Sequence, residues 1–375
     1  MPLTRLLRPR RRPAPSRGLP SHPGLRRAVA AASTILLGAT MLAACTATPS
    51  PKSTPDDSTI ALLLPDAKTA RYETFDRPLF EERVDELGDY KVLYANADQD
   101  AAKQQQQAES ALTAGAGVLV LDPVDANAAV SIVTSANTRG VPVISYDRLI
   151  AGGDLAYYVS FDNEKVGVLQ ATAFVEGMKD LADGSGILMV NGSPTDSNAA
   201  LFKEGAHSII DDSGLHVLAE YDTPGWNPEK AQEWVSGQIA QHRGQIAGVY
   251  AANDATAGGA VAALRVANVS PWPIVTGQDA ELSAIQRLLT GDQYMTVYKA
   301  IKPQARLAAE VAVALLHGET VTAPLEIQGT PSTLLDPVAV TVDNIMQTVV
   351  ADGFWTVDDI CTPAYADACE AAGIG

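Results

Sequence analysis

Cysteine and histidine are both scarce in this chain, with three and five in 375 residues. Four of the histidines, His207, His216, His242 and His317, fall in amphipathic stretches away from any cluster of polar residues, which leaves little for general-base catalysis. No Ser beyond residue 44 sits in Gly-x-Ser-x-Gly, Gly-x-x-x-x-Gly-Lys-Ser/Thr is absent, and no Gly-x-Gly-x-x-Gly opens a helix. A nucleophile-elbow hydrolase and a nucleotide-binding protein built on those loops are therefore excluded. Basic residues are also short, 27 against 44 acidic, for a net charge of -17.

The first 44 residues run against that trend. They contain eight Arg (Arg5, Arg8, Arg10, Arg11, Arg12, Arg17, Arg26 and Arg27), no Asp, Glu or Lys, and end in an apolar run from Ala28 to Ala44. A basic stretch followed by an apolar run too short and too Ala-rich for a strong membrane span is a secretion signal. Leu42-Ala43-Ala44 before Cys45 is the small-residue pattern at which a lipoprotein signal peptidase cuts, making Cys45 the expected lipid-bearing first residue, on the outer face of the cell membrane. Removing the eight Arg takes the charge from -17 to -17 − 8 = -25, a balance that repels nucleic acid. In such an exported chain Cys361 and Cys369, with no further metal ligands nearby, read as one disulfide pinning a C-terminal tail, residues 356–375.

What remains is long enough for two domains, and 46% hydrophobic residues supply a core for each. Residues 45–58, rich in Thr, Pro, Ser and Asp, are expected to form a flexible tether. From Thr59 onward, short apolar runs alternate with amphipathic ones. Strands are expected at Ile60 to Leu64, Val92 to Tyr94, Val118 to Leu121 and Val143 to Ser145, with helices between them. After Asp162 the rhythm restarts, with strands at Ile187 to Val190, His216 to Tyr221, Val249 to Ala251 and Ile274 to Thr276. Repeated βαβ units imply an α/β fold with two doubly wound, Rossmann-like parallel sheets. Later elements, a strand at Met295 to Tyr298, a helix from Pro303 and a strand at Val338 to Val342, imply a multi-strand hinge. Expected boundaries are 59–161 with about 299–335 for the first lobe, and 162–298 with about 336–355 for the second. A cleft between them is the place for a ligand.

Polar residues collect just after the strands: Asp66 with Arg71 and Tyr72, Asp147 and Arg148, Asp162 and Asn163, Asn253 and Asp254, Gln278 and Asp279, and Lys299. Each alone is an ordinary helix cap or turn residue. Together, carboxylates, amides, Arg and Lys offer paired donors and acceptors suited to adjacent hydroxyls. A sugar ring also presents apolar C–H faces, for which Tyr72 and Trp226 are candidate aromatic plates. Two carboxylates of this set also suit glycoside hydrolysis. That chemistry needs one of them held protonated, whereas Arg148 and Lys299 favour the ionised forms. Binding without chemistry, with no cofactor and no metal, is the better expectation.

These same stretches carry a resemblance. Ala70-Arg71-Tyr72, Tyr146-Asp147-Arg148, Phe161 to Gly167, Gly192 to Ala199, Asn253 to Gly259, Gly277 to Ala280 and Thr296 to Lys299 resemble the periplasmic sugar-binding proteins of ABC importers, above all the xylose-binding family. The resemblance implies a type I periplasmic-binding fold that closes on an aldose and hands it to a membrane permease as a monomer. It implies hydrogen bonding to the sugar by Arg71, Asp147, Arg148, Asp162, Asn163, Asn253, Asp279 and Lys299, with stacking by Tyr72 and Trp226. Relatives usually carry Trp where Tyr72 stands, and the Cys361/Cys369 pair is no motif of the family. A sugar-sensing ectodomain working with a membrane kinase, and a secreted glycosidase, stay open as alternatives. A sugar-responsive transcription regulator of related fold is excluded by the signal, the acidic charge and the lack of a helix-turn-helix.

Overall fold

A computed structural model describes residues 56–181 and 184–374. The expected secretion signal, Cys45 and most of the expected tether lie outside the described residues. No helix among the described residues is long and apolar enough to cross a membrane.

The first sheet begins with β1 (Asp56–Leu64), β2 (Lys91–Asn96), β3 (Ala116–Leu121), β4 (Val143–Tyr146) and β5 (Tyr157–Phe161), connected through α1 (Arg77–Leu87), α2 (Ala101–Thr113) and α3 (Val130–Thr138). β1 starts three residues before the expected Thr59, because Asp56 already pairs with Ala116 of β3; Asp56 to Ser58 are strand, not tether. The second sheet is built from α4 (Asn163–Gly177), β6 (Gly186–Asn191), α5 (Ser197–Ile210), β7 (His216–Asp222), α6 (Pro228–Gln241), β8 (Ile246–Ala251), α7 (Asp254–Val266), β9 (Ile274–Val275) and α8 (Leu282–Thr290). Then come β10 (Thr296–Tyr298), α9 (Ile301–Leu316), the hairpin β11 (Leu325–Ile327) and β12 (Thr330–Leu335), β13 (Val338–Val340), and two short tail helices, α10 (Val357–Ile360) and α11 (Ala366–Ala371).

The first sheet has the order β11-β12-β5-β4-β3-β1-β2 and the second β7-β6-β8-β9, while β10 and β13 form an antiparallel ribbon. Every pairing is parallel except the hairpin β11/β12 and that ribbon. Near-continuous apolar strands are what a sheet covered on both faces requires. In β1 the side chains alternate faces: Ile60, Leu62 and Leu64 pack with Phe80 and Val84 of α1 and Ala305 and Ala309 of α9. Ala61 and Leu63 turn to Ala108 and Leu112 of α2 and Ile132 of α3. The second sheet repeats the arrangement, Ile187 and Met189 against α4 and α5, Leu188 and Val190 against α6 and α7.

The chain passes between the sheets three times: from β5 into α4, from β10 into α9, which packs on the first sheet, and from β12 to β13. Beyond β13 the tail folds on α8, burying Ile360, Cys369 and Ile374 with Ile285 and Leu288. A disulfide joins Cys361 to Cys369.

α4 and α5 approach closely through two glycines. A Cβ on Gly167 would stand 2.1 Å from the carbonyl oxygen of Phe202, and one on Gly205 2.1 Å from that of Glu164. Gly205→Ala is therefore expected to destabilise the protein by about 1–3 kcal/mol through overpacking. Denaturant unfolding would show this, and an unchanged midpoint would mean that the helices separate freely.

Candidate functional site

The carboxyl ends of the two sheets face each other, and the residues that follow the strands meet between them. After β1, Asp66 Oδ1 accepts the backbone N–H groups of Lys68 and Thr69, both at 2.8 Å, and this turn delivers Arg71 to a one-turn π-helix, Tyr72–Asp76. Arg71 is fixed by four hydrogen bonds to three residues. Nε and Nη2 donate to the two carboxylate oxygens of Asp76 at 2.9 and 2.7 Å, Nη2 also to Gln304 Oε1 at 2.9 Å, and Nη1 to Asp147 Oδ1 at 3.0 Å.

Asp147 follows β4 in a left-handed conformation, φ 59°, which Asp tolerates better than most residues. Burial by itself would raise its pKa, but Arg71, Lys299 and Arg148 outweigh that and hold the carboxylate down at about 2. Arg148 is the hub of the cavity. Its Nε lies 2.9 Å from Asp196 Oδ2 and 3.5 Å from Asp122 Oδ1, Nη1 donates to the carbonyl of Pro123, and Nη2 donates to Tyr72 Oη at 3.1 Å. Neither oxygen of the Asp122 carboxylate has a hydrogen-bond partner among the described residues. Burial, with Asp147 and Asp196 nearby, pushes it well above the carboxylate range despite Arg148.

From the second sheet come Asn253, which caps α7 by accepting from Thr256 N at 2.9 Å, Gln278, and Asp279 at φ 95° with Oδ1 2.8 Å from Lys299 Nζ. Asp196 caps α5 through Oδ1 and receives Trp226 Nε1 on Oδ2 at 2.8 Å. Trp226, itself at φ 51°, lies over Gly192, where a Cβ would come within 2.2 Å of the indole. That close approach is why glycine stands there.

The halves are closed on each other. Ala126 N donates to Thr195 O, Thr195 Oγ1 to Val124 O, and Asn198 Nδ2 to Asp147 O, all at 3.1–3.2 Å, and the Arg148–Asp196 ion pair spans the same gap. They frame a cleft between them. Its wall includes Arg71, Tyr72, Asp147, Arg148, Trp226, Asn253, Asp279 and Lys299, all expected there. Asp162 and Asn163 are not part of it. Asp162 instead caps α4 by accepting from Lys165 N, and Asn163 donates to Ser160 Oγ, behind Asp147, whose carbonyl Ser160 holds. Thr69, Asp196, Asn198 and Phe202 line the cavity without having been singled out, and Gln278, noted among the polar residues after the strands, lines it too. For Asp196 and Asn198 the signal was present, in Ser193-Pro-Thr-Asp-Ser-Asn198 at a strand-to-helix junction.

The wall thus carries three cations, Arg71, Arg148 and Lys299, and three carboxyls, Asp147, Asp196 and Asp279. Asn198 Oδ1 and Gln278 Oε1 are buried with no hydrogen-bond partner among the described residues, and unmet buried acceptors are costly unless a ligand or water serves them.

Residues 60–320 match the family model described as periplasmic binding protein domain. Over 312 residues the chain is 38% identical to the D-xylose-binding periplasmic protein of Haemophilus influenzae, covering 81% of this chain and 92% of that one. The chain belongs to the periplasmic xylose-binding protein family. The Escherichia coli D-xylose-binding periplasmic protein is 36% identical over 303 residues, covering 79% and 90% of the two chains. A multiple sugar-binding periplasmic receptor of Rhizobium radiobacter is 30% identical over 331 residues, covering 81% and 93%. Among solved structures, an ABC transporter solute-binding protein of Clostridium phytofermentans with bound β-D-glucose superposes with a TM-score of 0.74 at 28% identity, covering 80% of this chain and 99% of that one. The fold is the type I periplasmic-binding fold of this family. As a member of the family the protein is a sugar-binding protein acting outside the cytoplasm, and the relatives named here are binders, not enzymes.

Proposed function

We propose that the protein is a lipid-anchored, extracytoplasmic capture protein that closes its two lobes on one neutral aldose, D-xylose or a near relative, and delivers it to an ABC permease. The observation that carries this is the cavity wall, in which three cations face three carboxyls. A net anion or cation would find no compensating excess there, whereas a ring of hydroxyls uses both signs at once.

In this reading Arg71, Asp147, Arg148, Asn253, Asp279 and Lys299 hydrogen-bond the hydroxyls. Asp196, Asn198 and Gln278 join them in place of Asp162 and Asn163, and Tyr72 and Trp226 cover the ring faces. Residues 59–161 with 299–335 and 162–298 with 336–355 are the lobes, and the three chain crossings are the hinge. Differential affinity for the closed arrangement drives closure. Residues 1–44 direct export and Cys45 carries the lipid of a monomeric protein. The name of the Rhizobium radiobacter relative includes "receptor", which keeps a sensing role as the second reading. Growth on the sugar after deletion separates the two, since a pure sensor would leave uptake intact.

Calorimetry against a panel of pentoses and hexoses is expected to give a Kd of micromolar order or tighter for D-xylose or a close aldose. Absence of heat with every sugar would overturn the proposal.

A further inference from the structure

The two halves meet a second time, away from the cavity, where the π-helix after β1 faces the C-terminal tail. Phe75 stacks on Phe354 with ring centroids 3.9 Å apart and planes 18° apart, and meets Trp355 edge-on at 5.0 Å. Phe354 also packs edge-on against Tyr298 of β10 at 5.0 Å. Trp355 Nε1 donates to the carbonyl of Ala280 at 2.8 Å, the residue next to Asp279 of the cavity wall. The tail packs on α8 of the second half through Ile360, Cys369 and Ile374, and its own disulfide cross-links it internally. Phe75 lies between Tyr72 and Asp76, the partner of Arg71, in the first half.

We propose that Phe75, Phe354 and Trp355 form a latch that sets how long the closed form lasts, and thereby the dwell time of the sugar, without touching it. None of the three lines the cavity. A residue pair carried by two bodies, and absent from the ligand's surroundings, adds free energy only to the arrangement in which the bodies are together. It therefore slows opening, and release must wait for opening. Stacked rings supply such a term beyond the area they bury. Phe354 and Trp355 lie beyond residue 320, where the match to the family model ends. The proposal rests on the hinge-closing reading above.

The test is stopped-flow release of D-xylose from the full chain. Phe354→Ala is expected to raise koff about two- to tenfold with kon within about twofold, and Phe354→Tyr, which keeps the ring, to restore it. Phe75→Leu should raise koff similarly, and the double variant should be no faster than either single one, because both remove the same contact. An unchanged koff in Phe354→Ala, or effects that multiply in the double variant, would overturn the latch. If the unaltered protein bound no aldose at all, the functional reading would fail instead.

Discussion

Arg148→Met is expected to cost about 3–5 kcal/mol of stability and to remove sugar binding altogether. The side chain is 3% exposed and faces Asp196, Asp122 and, at 3.9 Å, Asp66, all buried. Met matches its bulk and none of its charge, so the loss comes from carboxyls left without a counter-ion rather than from a void. Most of that cost belongs to the partners. Adding Asp122→Asn and Asp196→Asn to the Met variant should therefore return part of the stability while leaving binding abolished. Denaturant unfolding and calorimetry measure the two quantities separately. A single variant within about 1 kcal/mol of the parent would show that the knot is solvated and that Arg148 is no hub.

Raising the pH from about 5 to about 9 is expected to destabilise the protein through two carboxyls that sit beside the cavity without lining it, spanning the range set by their ordinary and folded values. Burial, and then the neighbouring Asp254 and Asp279, push Glu281 up to about 8 against the pull of Arg287. Burial, with Asp279, pushes Asp254 up to about 7 against Arg287 and a hydrogen bond from Gln293. Both folded values lie above the ordinary carboxyl range, so between the two the folded chain holds more protons than the unfolded one. Stability then falls as the pH rises through that window and levels off above the folded pKa values. Asp147, held at about 2, has the opposite sign: its contribution is present above the ordinary Asp value and is lost only in strong acid. Glu281→Gln abolishes the charge at nearly constant shape, so its thermal midpoint should vary less over the same pH range. Parallel midpoint curves for the two proteins would refute the assignment.

The core was legible because both faces of each sheet are covered. Ile60 to Leu64 and Val118 to Leu121 are apolar at every position, and such runs leave few alternatives to a buried strand. The β11/β12 hairpin escaped notice for a local reason. Its turn is Gln328-Gly329, at φ 51° and 81°, in place of the usual Asn-Gly, and Pro331 argues against a strand. Pro331 is in fact paired only with Glu326 of β11, ahead of the register with β5 that opens at Ser332, where its missing N–H costs nothing. In the cavity, Asp162 and Asp196 are both helix-capping carboxylates after strands. Which of them also faces the opposite half depends on how the sheets are apposed, and a single chain's pattern does not encode that. Asp147 and Arg148 were recognisable because two charges directly after the apolar run of β4 have no place in a buried strand end unless they serve each other or a ligand.

The backbone of the cavity also constrains how a descendant of this chain would acquire a new diet. Asp147, Trp226 and Asp279 all hold left-handed dihedrals, so the alphabet open to them narrows toward Gly, Asn and Asp, and Trp226 must keep the space above Gly192 as well. Asn198 and Phe202, by contrast, stand on α5, where nearly any side chain is conformationally acceptable. Drift in sugar preference is thus channelled through one helix face, and a combinatorial library confined to that face samples new ligands while leaving the strained loops, and the charge balance they carry, untouched.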